Sequence, residues 1–186
     1  MATEIRDIEK KIIESCKKGD SISQYALYNK YCRAMYNLAY RMMNNREDAE
    51  DMLQESFTEA FRNLGSFRYE STFGAWIKKI VINRCINQLR KGKKLLFTDE
   101  FEDMNAEDEG YADTDIQADL KKVFKSIEKL PDGYRLVFTL YLLEGYDHGE
   151  IAGILGISES TSKTQYLRAK KKLREQLAEE KISWIN

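Results

Sequence analysis

Five carboxylates crowd one short run, at Glu47, Asp48, Glu50, Asp51 and Glu55. Asp48, Asp51 and Glu55 fall on one helix, a set that in principle holds a divalent metal for phosphoryl chemistry. A metal enzyme would need a second segment, bearing carboxylates or histidines, to close the coordination sphere, and the sequence offers none. There is a single histidine, His148, and the three cysteines (Cys16, Cys32, Cys85) stand far apart without C-x-x-C spacing. That pattern predicts reduced thiols and excludes both a disulfide framework and a structural zinc site. No glycine-rich phosphate loop and no G-x-S-x-G elbow is present. The chain therefore reads as a binding protein with no catalytic residues, no cofactor and no metal, and its acidic helix as a surface.

The cationic residues point elsewhere. The net charge is −1, yet the ten acidic residues between Thr98 and Asp119 are accompanied by no basic one. Without them the balance is 30 basic against 31 − 10 = 21 acidic residues, or +9. Ile77 to Phe97 holds seven Lys/Arg and no acid, and Ser160 to Arg174 holds six and none. Two basic blocks on either side of an acidic connector suit two sites on a polyanion.

In the first block, Lys79, Asn83, Asn87 and Arg90 fall within a stripe of about 80° on a helix, with Ile77, Val81, Ile82, Cys85, Ile86 and Leu89 opposite. Asparagine pairs with bases or sugars, and Lys and Arg attract phosphate. Phe67, Tyr69, Phe73 and Trp76 lie just upstream. Aromatics beside a cationic helix hold unpaired bases by stacking, although each of these rings taken alone reads more readily as core.

The second block contains helix-turn-helix spacing from His148 to Arg168. Ala152 is the small residue where two helices cross, and Gly156 supplies the positive φ of the turn. Ile151, Leu155 and Ile157 lock the pair, and Ser158 is the expected N-cap. On the second helix Tyr166, Ala169, Leu173 and Leu177 face one way, while Thr161, Thr164, Gln165, Arg168 and Lys172 face outward. A mixed polar and cationic face of this kind suits base edges and phosphates in the major groove.

The elements that position these residues are helices. One proline, ten glycines and 42% apolar residues at helical spacing predict an all-α chain of 186 residues. Its expected divisions are a first domain over 1–95, an acidic flexible linker over 96–118 and a second domain over 119–186. In the first domain one stripe is Tyr28, Tyr31, Cys32, Met35, Leu38, Ala39 and Met42, and another is Ala49, Leu53, Phe57, Ala60, Phe61 and Leu64. Gly65 to Thr72 is a loop, with Ser71 or Thr72 capping the helix that runs to about Lys91. In the second domain Leu120, Val123, Phe124, Ile127 and Leu130 form a stripe, and Pro131 opens a new helix. No apolar run reaches the ~18 residues of a membrane span, and the charged N-terminus lacks a secretory signal, so a cytoplasmic location is expected.

Three motifs in this order resemble the extracytoplasmic-function (ECF) sigma factors of the sigma-70 family, from about Ser15 to Leu177. The Asp48-Ala-Glu-Asp run through Gln54-Glu55 to Phe57 resembles the family's "D-A-E-D-x-x-Q-E-x-F" polymerase-binding helix. Tyr69 to Arg84 resembles its promoter-melting segment, and Leu130 to Phe138 with the helix-turn-helix resembles its −35 reader.

The resemblance implies two helical domains, sigma regions 2 and 4, that assemble with bacterial core RNA polymerase on promoter DNA. It implies that Asp48, Asp51, Gln54, Glu55 and Phe57 bind the polymerase. The −10 element would fall to Phe67, Tyr69, Phe73, Trp76, Lys79, Asn83, Arg84, Asn87 and Arg90, with the Phe67 to Phe73 loop holding a flipped base. The −35 element would fall to Ser158, Ser160, Thr161, Lys163, Thr164, Gln165, Arg168 and Lys172. It further implies an anti-sigma factor, often membrane-bound, as a partner. Asn87 departs from the Asp common in the family, and Ser160, Ser162 and Gln165 from Gly, Val and Arg. Ser162 is expected to face the core. The acidic linker reads equally as a tether or as a mimic of nucleic-acid phosphate. The rival outside this family is a conventional helix-turn-helix regulator binding an operator on its own, which leaves the first 95 residues without a role.

Overall fold

A computed structural model describes residues 2–92 and 116–179. The acidic run from Asp99 to Asp115, with both readings of it, lies outside the described residues. Among the described residues there are eight α-helices and no strand: α1 (Ala2–Lys17), α2 (Ser21–Met43), α3 (Arg46–Arg62), α4 (Phe73–Lys91), α5 (Ile116–Glu128), α6 (Asp132–Phe138), α7 (His148–Leu155) and α8 (Glu159–Glu179). The chain divides into two compact units after Leu89, and α5 begins inside the stretch expected to be linker.

In the first unit α2 packs against both α1 and α3. Asp20 caps α2 by accepting a bond from the Ser23 amide at 2.9 Å. Asn44 ends it in the left-handed region at φ 53°, and Asn45 caps α3 through the Asp48 amide at 3.0 Å. Two adjacent asparagines thus make the corner, because their short amide side chains tolerate that backbone and satisfy the orphan amides. The core holds Leu38, Ala39 and Met42 of α2, Ala49, Met52, Phe57 and Ala60 of α3, and Ile77, Val81, Ile82, Cys85, Ile86 and Leu89 of α4. The apolar face expected for α4 is therefore buried throughout. Its N-terminus is capped by Thr72, whose hydroxyl accepts from the Ala75 amide at 3.1 Å. Gly74 follows at a close approach, since a Cβ there would stand 2.9 Å from the Tyr31 ring.

The second unit has a core of Ile127, Leu130, Phe138, Ala169 and Leu173, with Val123, Tyr134 and Tyr166 packed on it. Arg135 is 2% exposed and donates to the Leu130 carbonyl at 2.9 Å and to the Asp132 carboxylate. It closes the end of α5 onto α6 and satisfies its own charge in doing so. Phe124 is 41% exposed, which corrects its place in the expected apolar stripe. Val123 and Ile127 already cover the surface that α8 presents to α5, so Phe124 falls beyond the edge of the contact.

Candidate polymerase and nucleic-acid surfaces

The first surface is the outer side of α3. Asp51, Gln54 and Glu55 are exposed and Asp48 is half-buried. Glu47 and Asp48 lie in the first turn, where the helix dipole favours negative charge. Phe57 is 3% exposed, with its ring against Tyr28 at 4.8 Å. Its expected place on the polymerase-binding face is thereby corrected, because Phe57 belongs with Ala49, Met52, Ser56 and Ala60 on the buried face of α3. Among the described residues no three His, Cys, Asp or Glu side chains are grouped to hold a metal ion.

The second surface is α4 with the loop before it. Lys79, Asn83, Asn87 and Arg90 are all exposed and form the expected stripe. Arg84 departs from it, pairing with Glu55 at 3.2 Å and with Glu59. Its guanidinium is directed at α3, which corrects its grouping with the DNA-facing side chains. Phe67 and Phe73 are 4% and 1% exposed, so both are core rings and not exposed platforms, a second correction. Trp76 is half-buried, 5.3 Å from the Phe67 ring and 5.7 Å from Phe73. It lines an open hollow with Ser66, Phe67, Arg68 and Lys79. Tyr69 is 37% exposed and takes a left-handed φ of 63°. The two core rings hold the ends of the loop, and Tyr69 and Trp76 are the aromatics left at the surface.

The third surface is the helix-turn-helix. Asp147 and Glu150 form a capping box at α7, with the Glu150 amide donating to Asp147 at 2.7 Å and the Asp147 amide to Glu150 at 3.0 Å. Sequence reading passed over this pair, although D-x-x-E before an apolar run is its signature. Gly156 ends α7 at φ 65°, as the turn requires. The Ser158 hydroxyl accepts from the Thr161 amide at 3.0 Å, which makes it the N-cap of α8. On α8, Ser160, Lys163 and Lys172 are exposed, and Thr161, Thr164 and Arg168 are half-buried. Lys163 pairs with Glu159 at 2.7 Å and Lys172 with Glu175 at 3.6 Å, both at the surface. Ser162 is fully buried, as expected. Gln165 is 1% exposed, which overturns its outward placement. It stands one turn before Ala169, only about 40° away on the helix, and so lies within the arc that packs.

Sequence reading also missed what holds the two helices together. His148 stacks on Tyr141 at 4.4 Å and 10°, meets Tyr166 edge-on, and its Nδ1 is 2.9 Å from the Ser162 hydroxyl. Tyr141 lies in a π-helical turn, Thr139–Leu143, which widens the backbone after α6. Burial and the charge of Lys163 hold the imidazole below its usual range, against the opposing pull of Glu159 and Asp147. A histidine held low binds its proton more readily in the unfolded chain, so the stability it contributes is present above the ordinary imidazole value and lost as pH falls through the lowered one. Compared with His148→Phe, which retains a stacking ring, the wild-type second unit should therefore lose thermal stability between pH 7.5 and 5.5. A wild-type unit that gains on acidification relative to the variant contradicts this sign.

The all-helical, two-unit fold is that of solved sigma factors. The chain aligns with the sigma factor RpoE in complex with the anti-sigma factor NepR from Bartonella quintana, at a TM-score of 0.55 and 24% identity over 83% of this chain and 96% of that one. It also aligns with CnrH in complex with the cytosolic domain of CnrY, at 0.54 and 21% over 91% and 97%. Residues 27–95 match Sigma-70 region 2 and residues 120–173 match Sigma-70, region 4. The ECF RNA polymerase sigma factor SigW of Bacillus subtilis is 32% identical, covering 90% of this chain and 96% of that protein. The ECF RNA polymerase sigma-E factor of Haemophilus influenzae is 31% identical, with 91% and 94% covered. The chain belongs to the ECF sigma factors of the sigma-70 family.

Proposed function

We propose that this sigma factor binds bacterial core RNA polymerase through the outer face of α3, and directs initiation by reading a bipartite promoter. Asp48, Asp51, Gln54 and Glu55 form the polymerase contact. Lys79, Asn83, Asn87 and Arg90 engage the −10 element, and Tyr69 and Trp76 take up bases as the duplex opens. Ser160, Thr161, Lys163, Thr164, Arg168 and Lys172 read the −35 element, with Ser158 and Gln165 supporting α8 from its cap and its buried side. The chain performs no chemistry of its own, works in the cytoplasm, and is held inactive by an anti-sigma factor. The observation that carries the reading is that the exposed Lys79, Asn83 and Asn87 of α4, with half-buried Trp76 near its start, share a unit with the acidic α3 face.

Mixing the full chain with sigma-free core polymerase on a sizing column tests the first step. Co-elution at micromolar concentration is expected, and a chain that stays free overturns the proposal. At the −35 end, Arg168→Ala should cost about 1–3 kcal/mol at one base position of the selected promoter. Equal weakening across all sequences would make Arg168 a phosphate contact and not a base reader.

A further inference from the structure

The loop between Phe67 and Phe73 is anchored at its ends by core rings, but the residues between them are not buried. Arg68, Tyr69, Glu70, Ser71 and Thr72 are all exposed. Tyr69 is one of two non-glycine residues with positive φ among the described residues. Such a backbone is costly for an aromatic residue and persists only where neighbours enforce it.

The neighbours come from α1. The Tyr69 hydroxyl donates to Glu14 at 2.6 Å, and Lys17 pairs with Glu14 at 3.1 Å. The same ammonium reaches the Phe67 carbonyl at 3.4 Å and lies 4.7 Å from the centre of the Tyr69 ring, which itself packs on Phe67 at 4.8 Å. Glu14, Tyr69, Phe67 and Lys17 thus close a ring of contacts that fixes both backbone and ring plane. Each bond alone is weak at this exposure, but closure lets one residue restrain the next. The Tyr69 hydroxyl and Lys17 hold the Glu14 carboxyl below the usual range, so it accepts as an anion at neutral pH.

We propose that Glu14 is a positioning residue for promoter melting: from α1 it latches Tyr69 in the conformation that receives an unpaired base. The inference rests on the reading of this loop as the site that handles melted DNA. It draws α1, which lies before the region 2 match at residues 27–95, into the DNA-opening machinery.

The test uses holoenzyme made from the full chain and core polymerase, on a duplex selected by that holoenzyme from a randomised library. The readout is the rate at which −10 thymines become permanganate-reactive. Glu14→Ala should slow opening about three- to tenfold, with co-elution unchanged. Glu14→Gln, which keeps a carbonyl acceptor for the hydroxyl, should recover to within about twofold of wild type. Tyr69→Phe should match Glu14→Ala, and the double variant should lose no more than either, because both act through one bond. Amide exchange at 68–71 in the free chain should quicken in Glu14→Ala. Wild-type opening in Glu14→Ala, additive losses in the double variant, or unchanged exchange each overturn the latch. Tyr69→Ala separates the two levels: if it slows opening while Glu14→Ala does not, the latch alone fails. If Tyr69→Ala opens at the wild-type rate, the loop reading fails and the latch with it.

Discussion

Asp51→Arg should abolish co-elution with core polymerase while changing the stability of the chain by no more than about 0.5 kcal/mol. Asp51 is exposed, and the residues of α3 that the core depends on (Ala49, Met52, Phe57 and Ala60) occupy the opposite face. An arginine at 51 stands four residues from both Glu47 and Glu55, a spacing that favours the helix. The fold thus has no reason to notice the change. A partner site built for carboxylates does, since charge reversal replaces an attraction by a repulsion and leaves the partner's cations unpaired. Weakening of at least about a hundredfold is expected. An Asp51→Arg chain that binds core polymerase as tightly as wild type would remove α3 from the interface.

The second large effect separates two aromatics only three residues apart. Phe73→Ala should destabilise the first unit by about 3–5 kcal/mol. Its ring is 1% exposed and is shared by Tyr31 at 5.3 Å, Phe67 and Trp76. Trp76→Ala removes a half-buried ring and should cost well under half as much. Its consequence lies in function: promoter opening by holoenzyme should fall by roughly one to two orders of magnitude, the scale of one lost base-stacking contact, with duplex binding retained. Thermal melts of the two variants beside opening assays check both halves. A Trp76→Ala chain that unfolds like Phe73→Ala would return Trp76 to the core.

This pair of residues also shows what was legible in the sequence. Periodicity identified the buried face of α4, because six apolar positions at helical spacing, from Ile77 to Leu89, leave no other way for the helix to pack. Turn chemistry identified the helix-turn-helix, because Gly156 and Ser158 each satisfy a local backbone need that few residues meet. What stayed hidden depends on partners distant in the chain. Phe57 and Phe73 are covered by Tyr28 and Tyr31 of α2, and Arg84 is claimed by Glu55 and Glu59 of α3. The Tyr69 latch reaches back to Glu14, 55 residues earlier. No spacing rule within one helix reports such contacts. Gln165 fails differently: it lies about 40° from Ala169, inside the packed arc, and its polar side chain, not its helical angle, suggested an outward placement.

Asp51→Arg also separates two ways in which the proposed anti-sigma factor could hold the chain. A partner that covers α3 should lose Asp51→Arg together with the polymerase, whereas one confined to the second unit should retain it.

The most direct test of the account is transcription itself. Sigma-free core polymerase is supplied with a randomised duplex library, with and without the full chain, and the templates of the resulting transcripts are sequenced. The account predicts transcripts only when the chain is present, from templates that share two short blocks at fixed spacing upstream of the start. It would be contradicted if core polymerase and chain together yield no start-specific transcripts, while the chain alone selects a palindromic site from the same library.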